Sequence, residues 1–350
     1  MAGTVVGVDI GAAAVRAVEV QGYDGGKPSI TKYHELALPE SSVRRSEVVE
    51  IGTVTTALRR LWSAGGFKAK DVVLGIGGQR VFARDMSVPR QPLGQIRESL
   101  PFLVQDQLPV PVSDVLMDFY PVQEEQGEQG PVVNGLLVAG LKETIDASVN
   151  AALAAGLRPI HVDLVPFAIS RAIAPVRSAR GRDVIVSIGA NTTNVVVVED
   201  GVPQFVRILP NGGDDVTRAL ASRMQWSPEQ AEHQKRSLGM GTALVRQEDR
   251  PVVEIIYEVV GELLNSIRST ISYFASARPT DPVQRIILNG GGSQLIGLPN
   301  ALADLMRLPV GISEPLARVS MPRSRGANSP TSQQLDAYTT AFGLALGSHA

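Results

Sequence analysis

The 350-residue chain contains no cysteine, which excludes disulfides, thiolate nucleophiles and cysteine-ligated metals. Its four histidines, His34, His161, His233 and His349, are scattered without metal-ligand spacing. His161 stands near Asp163 and Ser170, but no nucleophile-elbow context surrounds it and a catalytic triad is not indicated. No apolar run approaches the roughly 18 residues that a membrane-spanning helix needs. The N-terminus runs directly into a strand-like segment, without a basic and then apolar leader. The stretch Ala341 to Gly347 is too short and too uncharged for a surface-binding amphipathic helix. These absences predict a soluble, cytoplasmic protein with no direct membrane insertion. An excess of one charge is missing as well. Lys and Arg number 33 against 35 Asp and Glu, and the basic residues are spread along the chain, which speaks against nucleic acid as a partner. Neither a Gly-x-x-x-x-Gly-Lys-Ser/Thr P-loop nor a Gly-x-Gly-x-x-Gly fingerprint is present.

What is present is 44% hydrophobic residues over a length that can build two domains with separate cores. Thr4 to Asp9 reads as a buried strand, Gly11 to Ala14 as a small-residue turn, and Val15 to Val20 as a half-buried returning strand. Ser41 and Ser42 offer an N-cap for a helix carrying Ile51, Val54, Leu58, Leu61 and Trp62, which Gly65 and Gly66 stop. Residues 71–158 read as an inserted subdomain with two strands, a helix from Leu93 bent or ended by Pro101, two more strands and a helix. Within it the polar stretch Gln123 to Gly130 is expected to be a mobile hairpin loop. A second strand-turn-strand spans Val184 to Glu199, and a long helix is predicted from Val252 to Phe274. The strand Ile286 to Leu288 runs into Asn289, Gly290, Gly291 and Gly292, and Arg318 to Gln334 reads as a long solvated loop.

The chain repeats itself. Val8-Asp9-Ile10-Gly11-Ala12 aligns with Val186-Ser187-Ile188-Gly189-Ala190, and the match continues with Val18 against Val196 and Val20 against Val198. The spacing is too long for a solenoid and fits two related lobes that open with the same hairpin. Small residues at such a tip expose consecutive N–H groups and let a phosphate approach closely. An acidic residue just before the turn, here Asp9, can hold hydrated Mg²⁺.

These segments resemble the actin-like ATPase superfamily. Gly7-Val8-Asp9-Ile10-Gly11 is similar to its first phosphate motif and Val186 to Thr193 to its second. Ile286 to Ser293, followed by Gly297-Leu298-Pro299, is similar to its adenosine motif. Leu164 to Ile169 and Thr340 to Leu346 sit where the two inter-lobe connecting helices belong. The insertion is positioned as in FtsA-like proteins, and Ala231-Glu232-His233-Gln234-Lys235 resembles their Ala-Glu-x-x-Lys segment. Ser266 to Phe274 and Gln107 to Pro111 resemble the type IV pilus assembly PilM family.

The resemblance implies an α/β, actin-like (ribonuclease H-like) two-lobed fold with an inserted FtsA-type subdomain. Residues 1–70, 159–183 and 336–350 would form the first lobe, 71–158 the insert, and 184–335 the second lobe, with about 215–283 its smaller subdomain. It implies ATP with Mg²⁺ in the cleft. The nucleotide would be held by Asp9, Gly11, Ala12, Ala13, Gly189, Ala190, Asn191, Thr192, Gly212, Gly213, Glu232, Lys235, Gly290, Gly291 and Gly292, with Asp9 on the metal side. Glu232 and Lys235 would contact ribose and base, the alternative being a solvated helix face. Gly212-Gly213-Asp214 would serve the ribose-phosphate region through a helix N-terminus, the alternative being a helix cap by Asp214. The implied partners are the N-terminal cytoplasmic tail of a PilN-like inner-membrane protein, gripped beside the insert, and other pilus platform and motor proteins. Attachment to the inner membrane would then come through partners.

Two departures from the family pattern bear on chemistry. Ser187 stands where the second phosphate motif usually carries an acidic residue, and Val165 where hydrolysing members often place a Glu or Gln that positions water. Asp163 lies two residues upstream of Val165 and is a candidate substitute. Phosphoryl transfer depends on positioning and on neutralising developing charge, so these losses predict nucleotide binding with weak or absent hydrolysis. The alternatives of the same fold are an active ATPase or small-metabolite kinase, and a filament-forming division protein. The first lacks acidic groups and a polar base beyond Asp9; the second commonly ends in a membrane-seeking helix.

Overall fold

The computed structural model describes residues 3–22, 28–108, 110–128, 130–173, 181–241, 245–278, 282–316, 319–321 and 332–347. In chain order the first half contains β1 (Thr4–Ile10), β2 (Ala14–Gln21), β3 (Ser29–Ala37), β4 (Val43–Arg44), β5 (Glu47–Val48), α1 (Ile51–Gly65), β6 (Asp71–Ile76), β7 (Val81–Pro89), α2 (Leu93–Leu103), β8 (Val115–Gly127), β9 (Gly130–Leu141), α3 (Lys142–Ala154), β10 (Arg158–Leu164) and α4 (Val165–Ile173). The second half contains β11 (Arg182–Ile188), β12 (Thr193–Glu199), β13 (Val202–Leu209), α5 (Gly213–Met224), α6 (Pro228–Leu238), α7 (Arg250–Ala277), β14 (Val283–Asn289), α8 (Leu298–Met306), β15 (Val310–Ile312), α9 (Ser332–Asp336) and α10 (Thr339–Leu346).

Two five-stranded sheets carry the molecule, ordered β10-β6-β1-β2-β3 and β15-β14-β11-β12-β13. They are copies of one plan. In each, a first strand pairs antiparallel with the second and parallel with a later one. The register repeats too, with Gly7 opposite Val18 and Asp9 opposite Arg16 in one, Ile185 opposite Val196 and Ser187 opposite Asn194 in the other.

Strand period two assigns each apolar side chain to a layer. Val6, Val8, Val15, Ala17, Val72 and Leu74 face α1 and α3 in one core, while Val5, Val18, Val20 and Val73 face α10 in another. In the second sheet Val184, Val186, Val195 and Val197 pack under α5, α7 and α8. The opposite face, with Ile185, Val196, Val198 and Val206, shares a core with Phe167 and Ile169 of α4 and with Val81 and Leu136 of the inserted sheet.

The connecting helices cross at glycines. A Cβ on Gly7 would lie 1.8 Å from the Ala341 carbonyl oxygen, and one on Gly343 would lie 1.9 Å from that of Ala168. α10 therefore rests backbone-to-backbone on β1 and on α4, an approach only glycine permits.

Several expectations are corrected by the structure. Within 71–158, the ends pack with the first sheet. β6 pairs with β1 and β10 inside the first sheet, and α3 buries Ala151 and Ala152 in the first core. The separate unit is the sheet β7-β9-β8 with α2, whose own core joins Val88, Ile96, Leu100, Phe119 and Leu137. In the stretch expected to be the smaller subdomain, Val216, Leu220, Ile256 and Ile267 pack with the second sheet. Ser41 and Ser42 do not cap α1, which begins after Glu50. The residues between form the hairpin β4–β5, because Val43 and Val48 pack into the first core. Gln123 to Gly127 is strand, not loop. The β8–β9 ladder continues through Glu125↔Val132 to Gly127↔Gly130, since backbone pairing there needs no buried side chain. Pro101 does not end α2, which runs on to Leu103. Most of the loop expected at 318–334 lies outside the described residues, as does His349.

Candidate functional site

The β1–β2 and β11–β12 turns are built alike. The Gly11 N–H donates to the Ala14 carbonyl at 3.0 Å, and the Gly189 N–H to the Thr192 carbonyl at 2.9 Å. Each bond closes a tight tip. The N–H groups of Ala12 and Ala13 in one, and of Ala190, Asn191 and Thr192 in the other, take no partner among the described residues. Consecutive unpaired N–H groups of this kind suit an anion.

Around the second tip the structure gathers most of the sequence-predicted residues. Gly212 is buried against it, and a Cβ there would lie 2.4 Å from the Ala190 carbonyl oxygen. The Gly213 and Asp214 N–H groups donate to the carbonyls of Gly189 and Ala190, both at 2.9 Å. Asn191 Nδ2 donates to Asp214 Oδ2 at 2.7 Å. Gly290, at φ 82°, and Gly292 press on Ile188 from the other side, while Gly291 faces open space.

This hydrogen bonding bears on the helix N-terminus expected to face the ribose-phosphate region. The N-terminus of α5 offers no spare donors at its first residues, because Gly212 N–H donates to Asp215 Oδ2 at 2.8 Å and the next two serve the hairpin. Gly212 and Gly213 thus shape the wall of the site, with their own N–H groups engaged inside the protein.

Glu232 and Lys235, one turn apart on α6, form an ion pair at 2.5 Å. Lys235 Nζ also donates to the Gly213 carbonyl at 3.1 Å and to Thr217 Oγ1 at 2.9 Å, so it ties α6 to the start of α5. Burial opposes ionisation of Glu232. Hydrogen bonds from Lys235, Thr217 and Arg236 outweigh it and bring the carboxyl down to about 2. The pair lines the same wall as the second hairpin, with the Glu232 side chain partly exposed and both its oxygens held by Lys235, Thr217 and Arg236.

Asp9 and the first tip stand on the other sheet. The Asp9 carboxylate is partly buried and accepts no hydrogen bond from the described residues. Burial pushes its pKa up and the Arg16 charge opposes the rise. A desolvated carboxylate that accepts no hydrogen bond from the described residues, beside an anion-binding tip, fits a cation such as Mg²⁺. Ser187, its counterpart, does not supply a second ligand. Its Oγ donates to Asn289 Oδ1 at 3.3 Å, and Asn289 Nδ2 donates to Ser313 Oγ at 2.9 Å and Thr339 Oγ1 at 3.2 Å, a buried polar brace from the second sheet to α10. Asp163 does not replace the group missing at Val165. Its Oδ1 accepts the Leu164 N–H at 2.7 Å and its Oδ2 pairs with Arg171. Among the described residues no three His, Cys, Asp or Glu side chains cluster as a metal site.

Arg16 escaped the sequence reading. It lies directly opposite Asp9 in the ladder, and its Nη1 is 3.7 Å from where a Gly11 Cβ would stand. The signal was a basic residue on the returning strand where the repeat has Asn194.

A family profile described as type IV pilus assembly protein PilM matches residues 7–349. The chain belongs to that family. A solved chain of the PilM-PilN type IV pilus biogenesis complex superposes with a TM-score of 0.85 at 26% identity, over 99% of this chain and 98% of that one. MreB 5 of Spiroplasma citri, bound to AMPPNP, superposes at a TM-score of 0.54 and 10% identity over 89% of this chain and 91% of that one. Cell division protein FtsA of Bacillus subtilis (strain 168) is 20% identical over 328 residues, covering 79% of this chain and 72% of that protein. The fold is the actin-like, two-lobed α/β fold. Among the described residues no helix is long and apolar enough to cross a membrane.

Proposed function

We propose that this chain is a nucleotide-binding platform component of type IV pilus assembly that turns ATP over weakly or not at all. The observation that carries the reading is the asymmetry of the two phosphate hairpins. Both have tip N–H groups without a partner among the described residues, but only the first keeps a carboxylate, while Ser187 is committed to Asn289. ATP phosphates would lie between the tips, with Asp9 as the residue that holds Mg²⁺ and Arg16 nearby, held in place by its ion pair with Glu35 at 3.0 Å. Bound Mg²⁺ would neutralise phosphate charge. Glu232 and Lys235 would meet the ribose side, and Gly290 to Gly292 would edge the base. Val165 can neither orient water nor hold metal, and Asp163 is occupied, so binding is retained where hydrolysis is not.

The partner reading is supported by the family and by likeness to a protein solved as the PilM-PilN complex. In it, the N-terminal tail of a PilN-like inner-membrane protein docks beside the inserted sheet. The chain is thereby held in the cytoplasm, peripheral to the inner membrane and within reach of other pilus platform and motor proteins. β10, at the end of the first sheet, carries exposed Ile160 and Val162 near that side.

Calorimetry with ATP, with and without Mg²⁺, on wild type and Asp9→Ala tests the cleft. The expected result is binding that weakens when Mg²⁺ is chelated and loses its Mg²⁺ dependence in the variant, with phosphate release at the level of a denatured control. Absence of binding under both conditions would refute the nucleotide half. Release well above the control, abolished by Asp9→Ala, would refute the inactive-cleft half. Fluorescence anisotropy of a labelled PilN-like tail peptide tests the partner half, which fails if the peptide stays free.

A further inference from the structure

The hairpin β4–β5 forms a sheet of its own between the lobes. Its base is fixed in the first lobe, with Val43 buried and the Ser42 carbonyl accepting the N–H groups of Val49 at 2.9 Å and Glu50 at 3.2 Å. Its two-residue tip is left-handed without glycine, with φ 50° at Arg45 and 64° at Ser46. A tip of this geometry normally selects Asn-Gly or Gly-Gly. Two adjacent non-glycine residues there persist only when their surroundings over-determine them, and such strain gathers at ligand clamps and switches.

The two flanks of the tip are held unequally. Towards the first lobe it lies on the β6–β7 loop. A Cβ on Gly78 would come within 2.6 Å of the Arg45 carbonyl oxygen, and Arg45 Nη1 donates to Gln79 Oε1 at 3.1 Å. Glu47 adds an ion pair with Arg80 at 3.4 Å. Towards the second lobe the tip reaches Thr192, the end of the second phosphate hairpin, through Ser46 Oγ at 3.4 Å from Thr192 Oγ1. That separation is long for two hydroxyls. Backbone packing and an ion pair hold one side, and a stretched hydroxyl pair holds the other.

We infer that β4–β5 is a clasp over the phosphate end of the cleft, and that the Ser46–Thr192 contact must part for an adenine nucleotide to enter or leave. The inference rests on the nucleotide reading above. The clasp stays with the first lobe when the lobes separate, because its stronger contacts are there. Nucleotide exchange is then limited by clasp opening, as with other lids.

The absence of cysteine makes the test clean, since Ser46→Cys with Thr192→Cys gives a chain with one possible disulfide. The variant is loaded with a fluorescent adenine nucleotide, then oxidised or kept reduced, and release is followed after a chase with excess ATP. Single Ser46→Cys serves as the oxidation control. Oxidation is expected to slow release about tenfold or more, with recovery on reduction. Ser46→Ala, which removes one weak hydrogen bond, is expected to speed release roughly two- to fivefold. Equal release from the oxidised and reduced protein would overturn the clasp, as would failure of the disulfide to form under mild oxidation. If the wild type binds no nucleotide by calorimetry, the clasp falls together with the nucleotide reading, an outcome distinct from binding with unchanged exchange.

Discussion

Substituting Gly343→Ala drives a methyl group into the crossing of α10 and α4. The new Cβ would lie 1.9 Å from the Ala168 carbonyl oxygen, 2.5 Å from its carbon and 3.1 Å from Cα. No side chain can rotate aside, so the helices must part by about 1.5 Å to reach an ordinary contact. Overpacking of this kind costs about 1–3 kcal/mol, and a backbone obstacle places this case at the upper end. Alanine is the better helix former by about 1 kcal/mol, which offsets part of the loss. A net destabilisation of about 2 kcal/mol remains. With about 2.1 cal/mol/K of unfolding entropy per residue, a 350-residue chain should lose roughly 3 °C in melting midpoint. Differential scanning calorimetry reads this directly. The crossing also positions Val165 and Thr339, so nucleotide affinity should fall with stability. An unchanged or raised midpoint would mean that helix propensity outweighs the crossing, and the account of α10 as a helix clamped between β1 and α4 would be wrong.

Asp336 gives a pH signature. Burial, with Glu314 adding to it, raises its carboxyl from 3.8 to about 6. The folded state therefore holds that proton more tightly than the unfolded state. Stability is full below about pH 4 and is lost as pH rises to about 6. Asp336→Asn should be more stable than wild type by on the order of 2 kcal/mol at pH 8 and indistinguishable at pH 3.5, as read by urea denaturation. For Glu232 the sign reverses. Its depressed carboxyl contributes stability above about pH 4.5, lost as pH falls towards 2. Lys235→Ala removes the main partner and unties α6 from α5, so ATP affinity should fall about tenfold by calorimetry, and undiminished affinity would remove the pair from the site.

The duplicated hairpins were legible because β1, β2, β11 and β12 are buried on both faces and read as valine-rich runs closed by small residues. β3 gave no such signal. It is a sheet edge, where Thr31, Lys32 and His34 stay partly exposed and Glu35 exposed around the buried Ile30. The β4–β5 turn was invisible because Arg45-Ser46 carries none of the glycine or asparagine that marks a left-handed tip. At the site, sequence named the residues better than their roles. That Ser187 turns to Asn289, that Asp163 is spent on Arg171, and that the first N–H groups of α5 are consumed are matters of hydrogen-bond accounting between distant segments. No local pattern encodes them.

The core shared by Val81, Leu136, Phe167, Val196 and Val206 has a mechanical consequence. The inserted sheet is spliced into the chain between β6 and α3, both first-lobe elements, yet it is glued by its apolar face to the strands of the second lobe. Asp85 adds a 3.5 Å ion pair to Arg278 at the far end of α7. Rotation of one lobe against the other must either drag the insert along or slide its methyl groups across β12 and β13. The insert is thus a lever with its fulcrum at α4, and a peptide seated on it would feel the angle of the cleft without touching the nucleotide.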